Sequence, residues 1–235
     1  MKKNIKIIPN NKLFESFINI VPSSEFVPEW YRKSPSTMTG AYSELFPENP
    51  KGTMSTYKKC TPFFDALTIG YTVFLTADIE VIKQDNGLPY IMWRTSRKII
   101  TEHSIDQWEG LPSPEGYSKY VYKWHNDFVL QTPKDYSLLF ISPMNRFDLP
   151  FISVNGVVDT DKYNLNVQFP FFIKDNFTGI IEKGTPIVQI IPIKRESWAR
   201  EVKPYDQNAN IKLEKFLSTI KRSYKNNFWV KKDYR

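Results

Sequence analysis

The sequence predicts a mostly β protein, and three observations carry that expectation. Aromatic residues make up 15% of the 235-residue chain, with 17 Phe, 13 Tyr and 6 Trp, and side chains of that shape fit a pleated, half-buried surface better than a helix. Only 9 Gly stand against 17 Pro, which implies many rigid turns and few positions needing a positive φ. Short apolar segments recur at spacings of roughly 10–15 residues with no helical pattern between them, which excludes βαβ units and points to a sandwich or barrel.

The elements follow in order. Residues 3–9 alternate weakly and read as an opening strand, whereas 14–21 and 29–32 are short and fit no single period. Residues 34–52, punctuated by Pro35, Gly40, Pro47, Pro50 and Gly52, read as a Pro-rich surface loop or arm. Residues 66–82 are rich in Ile, Val, Thr, Tyr and Phe and end at Asp85-Asn86-Gly87, so they form one limb of a hairpin whose other limb is 88–94. A loop carrying Pro112, Pro114 and Gly116 leads to strands at 120–124, 127–131, 137–141, 151–158, 166–173 and 187–193. Near the end, Leu213, Phe216, Leu217, Ile220 and Tyr224 fall at helical spacing between lysines, which predicts one amphipathic helix over 208–228 packed on the β body or on a neighbouring subunit. The expected organisation is a single domain over 1–235: an N-terminal arm with short elements (1–60), a β body (61–200), and a C-terminal helix with a basic tail (201–235).

Charge and composition exclude more than they identify. The formal charge is +7, which permits an acidic partner; the excess is spread thinly, its clusters at 1–6 and 212–235 read as solvated tails, and nucleic-acid binding is not indicated. A lone cysteine, Cys60, rules out an intrachain disulfide and is expected to be a buried small hydrophobe in a reducing compartment. No apolar run reaches the ~18–20 residues that span a bilayer, and residues 1–12 lack a secretory signal pattern, so no membrane partner and a cytoplasmic location are expected, that of the host if the protein is viral. There is no GxSxG elbow, no GxxxxGK[ST] loop and no GxGxxG turn. His125 and Asp127 form an HxD pair, but the chain has two His only and His103 lies upstream, so the facial triad of iron oxygenases is not completed in its usual order. One Cys and two His make a zinc site unexpected as well. Tyr120, Tyr122 and Trp124 alternate at period two, which marks a packed strand face before a base-stacking platform.

Three stretches in order carry a resemblance. They are TPKDYSLLFISPMNR (132–146), SVNGVVDTDKY (153–163) and IIEKGTPIVQII (180–191), with a weaker fourth in IGYTVFLTAD (69–78). In this order they resemble the dUTPase and dCTP deaminase superfamily, in a divergent, phage-like form, over roughly 66–193. The first resembles that family's strand and phosphate-binding turn, the second its loop and strand ending in Gly, two aliphatics, Asp and Tyr, and the third its Lys/Gly turn and following strand.

The resemblance implies a β-clip fold, a homo-oligomer, usually a trimer with sites between subunits, and a pyrimidine nucleotide as ligand. Hydrolysis at the α-phosphate needs a carboxylate to deprotonate water, donors along the phosphates, and Mg²⁺ on the phosphate oxygens. By resemblance Asp159 is the catalytic carboxylate, Tyr163 packs the deoxyribose, Gln189 and the turn residues Asn145 and Arg146 meet phosphate, and the backbone at Asn155 and Gly156 faces the base; Mg²⁺ would arrive with the nucleotide. Met144 and Asn145 stand where the family carries its Arg and Ser, Lys162 is inserted before Tyr163, and a basic helix stands where the family's Gly-rich arm lies. The leading functional expectation is therefore a divergent dUTPase-like nucleotide binder with weak or altered hydrolysis. The alternative is a non-enzymatic structural or interaction protein that keeps the fold without the site.

Overall fold

A computed structural model describes residues 3–39, 53–103, 105–219 and 223–235. The chain divides into two compact units: Met1–Phe26, Leu67–Arg195 and Tyr234–Arg235 form the first, and Val27–Ala66 with Glu196–Asp233 the second. Strands run in chain order as β1 (Lys6–Pro9), β2 (Ile20–Pro22), β3 (Thr37–Thr39), β4 (Thr53–Ser55), β5 (Tyr71–Phe74), β6 (Ile79–Lys83), β7 (Pro89–Trp93) and β8 (Ile100–Glu102). They continue as β9 (Tyr122–Trp124), β10 (Phe128–Gln131), β11 (Tyr136–Ile141), β12 (Phe151–Ser153), β13 (Gly156–Val158), β14 (Phe169–Ile173), β15 (Gly179–Ile181) and β16 (Pro186–Lys194). Among the described residues four α-helices accompany them: α1 (Glu29–Lys33), α2 (Thr61–Thr68), α3 (Gln207–Thr219) and α4 (Ser223–Asn227). The protein is mostly β, as its composition implies, and among the described residues no helix is long and apolar enough to cross a membrane.

The first unit is built from antiparallel sheets. A five-stranded sheet has the order β13-β11-β16-β5-β2, a four-stranded sheet β12-β14-β9-β8, a three-stranded sheet β15-β6-β7, and β1 pairs with β10. One hydrophobic cluster joins them: Leu138, Phe140, Val188 and Ile190 from the first sheet, Trp124, Phe151, Phe169 and Phe171 from the second, and Ile79, Val81, Ile91 and Ile181 from the third. The rings lie against one another, with Trp124 and Phe171 stacked at 3.7 Å and Phe140 meeting Phe169 at 5.4 Å. Flat rings on neighbouring strands bury large area with few rotatable bonds, so this layer supplies much of the apolar free energy. Tyr122 and Trp124 are buried on one face of β9, as their period of two implies.

Several strand expectations need correction. The stretch 66–82 is not one limb: α2 ends at Thr68, β5 follows, and β6 alone pairs with β7 as the hairpin across 85–87. The break is set at Gly70, whose φ of +74° puts it in the left-handed region that a Cβ disfavours. A Cβ there would also lie 2.1 Å from the Ile190 carbonyl oxygen, so β5 approaches β16 more closely than any other residue permits. The stretch 151–158 likewise divides at 154–155 into β12 and β13, which join different sheets. β8 and β15, three residues each, are too short to show a period. Cys60 is exposed, not buried.

In the second unit β3 pairs with β4, so the Pro-rich arm is in part a ribbon; residues 40–52 of that arm lie outside the described residues. The C-terminal helical pattern is realised as α3 and α4, with Ile220 and Lys221 outside the described residues. Phe216 meets Phe228 at 5.9 Å, while Ile211, Leu213 and Tyr224 remain exposed.

Two substitutions test this account by denaturant unfolding. Phe171→Ala should cost about 3–5 kcal/mol through lost burial and the cavity it leaves. Gly70→Ala should cost well over ~1 kcal/mol, because backbone strain and the clash with Ile190 act together; a loss no larger than that of an ordinary exposed Gly→Ala would contradict the close approach.

Candidate functional site

β11 positions every residue that the resemblance singles out, because it is held on both sides. On one side Leu138, Leu139 and Phe140 pair with Val158, Val157 and Gly156 of β13. On the other, Tyr136 to Ile141 pair with Lys194 to Gln189 of β16. Side chains alternate across a strand, so this register decides which groups meet.

At the end of β11 marked by Ile141, the turn 142–146 closes against the β12–β13 connection. The Ser142 N–H donates to Asn155 Oδ1 at 3.1 Å, and Gly156 stands opposite Phe140. Gln189 projects from β16 with 2% exposure: its Oε1 accepts from the Met144 N–H at 3.0 Å and its Nε2 donates to the Ile69 carbonyl at 2.7 Å. Both ends of the buried amide are thus satisfied, as burial demands, and Gln189 ties the turn to the backbone before β5. Asn145 takes a φ of +58°, a left-handed conformation Asn tolerates better than most residues. Arg146 grips Asp148, with Nε 2.9 Å from Oδ1 and Nη2 2.8 Å from Oδ2, and its side chain is 14% exposed.

The opposite end of β11 holds a charge cluster. Asp159, just after β13, accepts from the Ser137 hydroxyl at 2.6 Å and from Arg195 Nη1 at 3.3 Å, while its side chain stays 55% exposed. Arg195 forks onto Asp161, with Nη1 2.9 Å from Oδ1 and Nη2 bonded to Oδ2, and the Asp135 N–H donates to Asp161 Oδ2 at 2.9 Å. Asp161 is nearly covered at 5% side-chain exposure. Its hydrogen bonds from Arg195, then that from the Asp135 amide and the nearby positive charge, outweigh burial and push the carboxyl down to about 2. Arg195 is raised in return, first by the same bond. Tyr163 lies one turn beyond, its N–H donating to the Asp159 carbonyl at 2.9 Å, with its side chain exposed.

Within one chain, then, the predicted residues form two groups. Asn145, Arg146, Asn155, Gly156 and Gln189 gather at one end of β11, and Asp159 and Tyr163 at the other. The four steps from Ser137 to Ile141 put the groups ~13 Å apart along the strand. Arg195, Asp161 and Ser137 were not singled out from the sequence; the signal was present in the Asp-x-Asp spacing after β13 and in an arginine at the end of β16, but only pairing shows that the two meet.

The other sequence candidates are accounted for by internal partners. Asp127 pairs with Arg97, His125 Nε2 lies 2.7 Å from Thr101 Oγ1, and His103 Nδ1 lies 2.7 Å from Gln107 Oε1. Burial lowers the His125 pKa, helped by Lys98 and Lys123 and opposed by Asp127. Among the described residues no group of three His, Cys, Asp or Glu is placed to hold a metal ion.

No family model matches the chain, and no curated protein matches it. Among solved structures it is similar to a native dUTPase of EIAV, at 13% identity and a TM-score of 0.32, over 59% of this chain and 84% of that one.

The Arg195–Asp161 pair makes a pH prediction. A carboxyl held at about 2 against an ordinary 3.8 stabilises the fold fully above the ordinary value, and that contribution is lost as pH falls toward 2. Asp161→Asn should therefore melt at a lower temperature than wild type at pH 7, with the difference shrinking as pH falls from 4 to 2. An unchanged difference across that range would mean that the pair does not hold Asp161.

Proposed function

We propose that the chain is a divergent dUTPase-like nucleotide-binding protein whose complete site forms between copies of the chain. The observation that supports this is the division of the resembling residues into two half-sites on one rigid β13-β11-β16 trio. One half offers a turn with Asn145 and Arg146 beside the exposed Asn155–Gly156 edge, fitted to phosphates and a pyrimidine edge. The other offers Asp159, a carboxylate fixed by Ser137 and Arg195 yet open to water, fitted to activating a water, with Tyr163 beside it to pack a deoxyribose. A trimer, as the resemblance implies, would bring one half against the other.

The phosphate turn is not blocked by Asp148. That partner is 41% exposed, so a polyphosphate reaching the turn would compete with its carboxylate for the Arg146 guanidinium. Asp159 and Arg146 would contribute a general base and a phosphate donor respectively. Mg²⁺ would be carried on the phosphate oxygens, since it keeps most of its own waters and asks for only one or two carboxylates; bound there, it neutralises phosphate charge.

A second reading has one specific observation in its favour. Gln189, which the resemblance assigns to phosphate, has both amide atoms consumed inside the fold. A protein that kept the scaffold for structural or interaction purposes and lost catalysis would look the same at that residue.

A melting-temperature panel separates the two. Deoxypyrimidine triphosphates with Mg²⁺ should stabilise the protein, by about 2.7 kcal/mol at a hundredfold excess over Kd, or roughly 2–4 °C per kcal/mol for a chain of this size. Arg146→Ala should remove that shift, whereas Asp159→Asn should keep it and abolish any hydrolysis. No shift with any nucleotide at millimolar concentration would reject the binding reading and leave the structural one.

A further inference from the structure

The second unit contains a cavity of about 350 Å³ lined by Tyr31, Ser36, Lys58, Lys59, Thr61, Phe64, Lys225 and Trp229. We propose that it is a ligand site for a small anion with a flat apolar body, an aromatic ring bearing a carboxylate, sulfonate or phosphate, distinct from the nucleotide half-sites on the first unit.

The walls are preformed. Tyr31 is 5% exposed and stacks on Phe63 and Phe64, with ring centroids 6.1 and 5.7 Å away. Its hydroxyl donates to the Lys58 carbonyl at 3.1 Å. Lys58 is itself fixed, Nζ donating to the carbonyls of Arg32 and of Ser34, the latter at 2.7 Å. Trp229 is oriented by its indole N–H, which lies 2.9 Å from Asp65 Oδ2, and Lys232 takes the same carboxylate. Aromatic faces held this way keep their shape without a ligand, so little ordering entropy is lost on binding.

Among the described residues the charge around this cavity is one-sided. Three lysines line it and no described carboxylate does; the nearby acid Asp65 is turned onto Trp229 and Lys232. Lys58 spends its ammonium on carbonyls, which leaves Lys59 and Lys225 to meet an anion, with the Thr61 and Ser36 hydroxyls as further donors. The volume falls at the lower end of the ~300–1,000 Å³ typical of small-molecule pockets, and an apolar lining with a few polar groups is their usual composition. An uncharged apolar ligand would leave the lysines unused, and a cation would be repelled by them.

The test uses 1-anilinonaphthalene-8-sulfonate as probe and N-phenyl-1-naphthylamine, which has the same rings and no charge, as its control. The full chain should bind the sulfonate saturably at one site, about tenfold or more tighter than the neutral compound, with affinity falling as salt rises from about 50 to about 500 mM. Lys59→Glu with Lys225→Glu should weaken the sulfonate about tenfold or more at an unchanged melting temperature, whereas Lys183→Glu on the first unit should not. Should the double variant melt early, Lys225→Gln read against salt serves instead and should flatten the salt dependence. Equal affinity for the neutral compound, or sulfonate binding indifferent to salt and to both sets of substitutions, overturns the proposal.

Discussion

The pairing of β11 with β16 along its full length, and with β13 on its other edge, is the constraint from which the rest of the first unit follows. It sets Leu138 and Phe140 into the core, where they are 0% and 3% exposed, and turns Ser137 toward Asp159. A slip of one residue would reverse every one of those directions. It would bring Leu138 to the charge cluster, push Ser137 out of its place opposite Ile193, and part the turn 142–146 from Gln189. The aromatic layer resists that slip because Phe140 is already committed to Phe169 across the two sheets.

Around this trio the polar groups are mostly neutralised from within. Arg195 answers Asp159 and Asp161, Arg146 answers Asp148, and Arg97 answers Asp127. Arg195 and Arg146 do so through a two-point fork that no lysine reproduces. The consequence for chemistry is uneven. Where the carboxylate partner is exposed, as with Asp148 and Asp159, a ligand or water has access to it. Where it is covered, as with Asp161, the pair serves the fold, joining the Asp135 turn to the segment after β13.

How much of this was legible in the sequence depends on the range of the interactions involved. The alternation of Tyr122 and Trp124, the Asp85-Asn86-Gly87 turn between β6 and β7, and the long apolar run of β16 are local patterns, and each reads directly as the element it becomes. Elements whose boundaries are set by contacts across the sheet did not. Gly70 ends one segment because β16 lies against it, and 151–158 breaks because its halves belong to different sheets. Cys60 reads as buried by its residue type and is exposed by its place ahead of α2.

The site shows the same division. The order of the three resembling stretches, and so the candidates Asn145, Arg146, Asn155, Gly156, Asp159, Tyr163 and Gln189, belongs to the chain's own text, as does the mostly β class, because residue shape and turn chemistry act over a few positions. Which candidates share an end of β11, that Gln189 is spent inside the fold, and that Arg195 and Ser137 hold Asp159 were decided by strand register alone. Register is an agreement between segments dozens of residues apart, enforced by burial on both faces at once, and no local pattern records it.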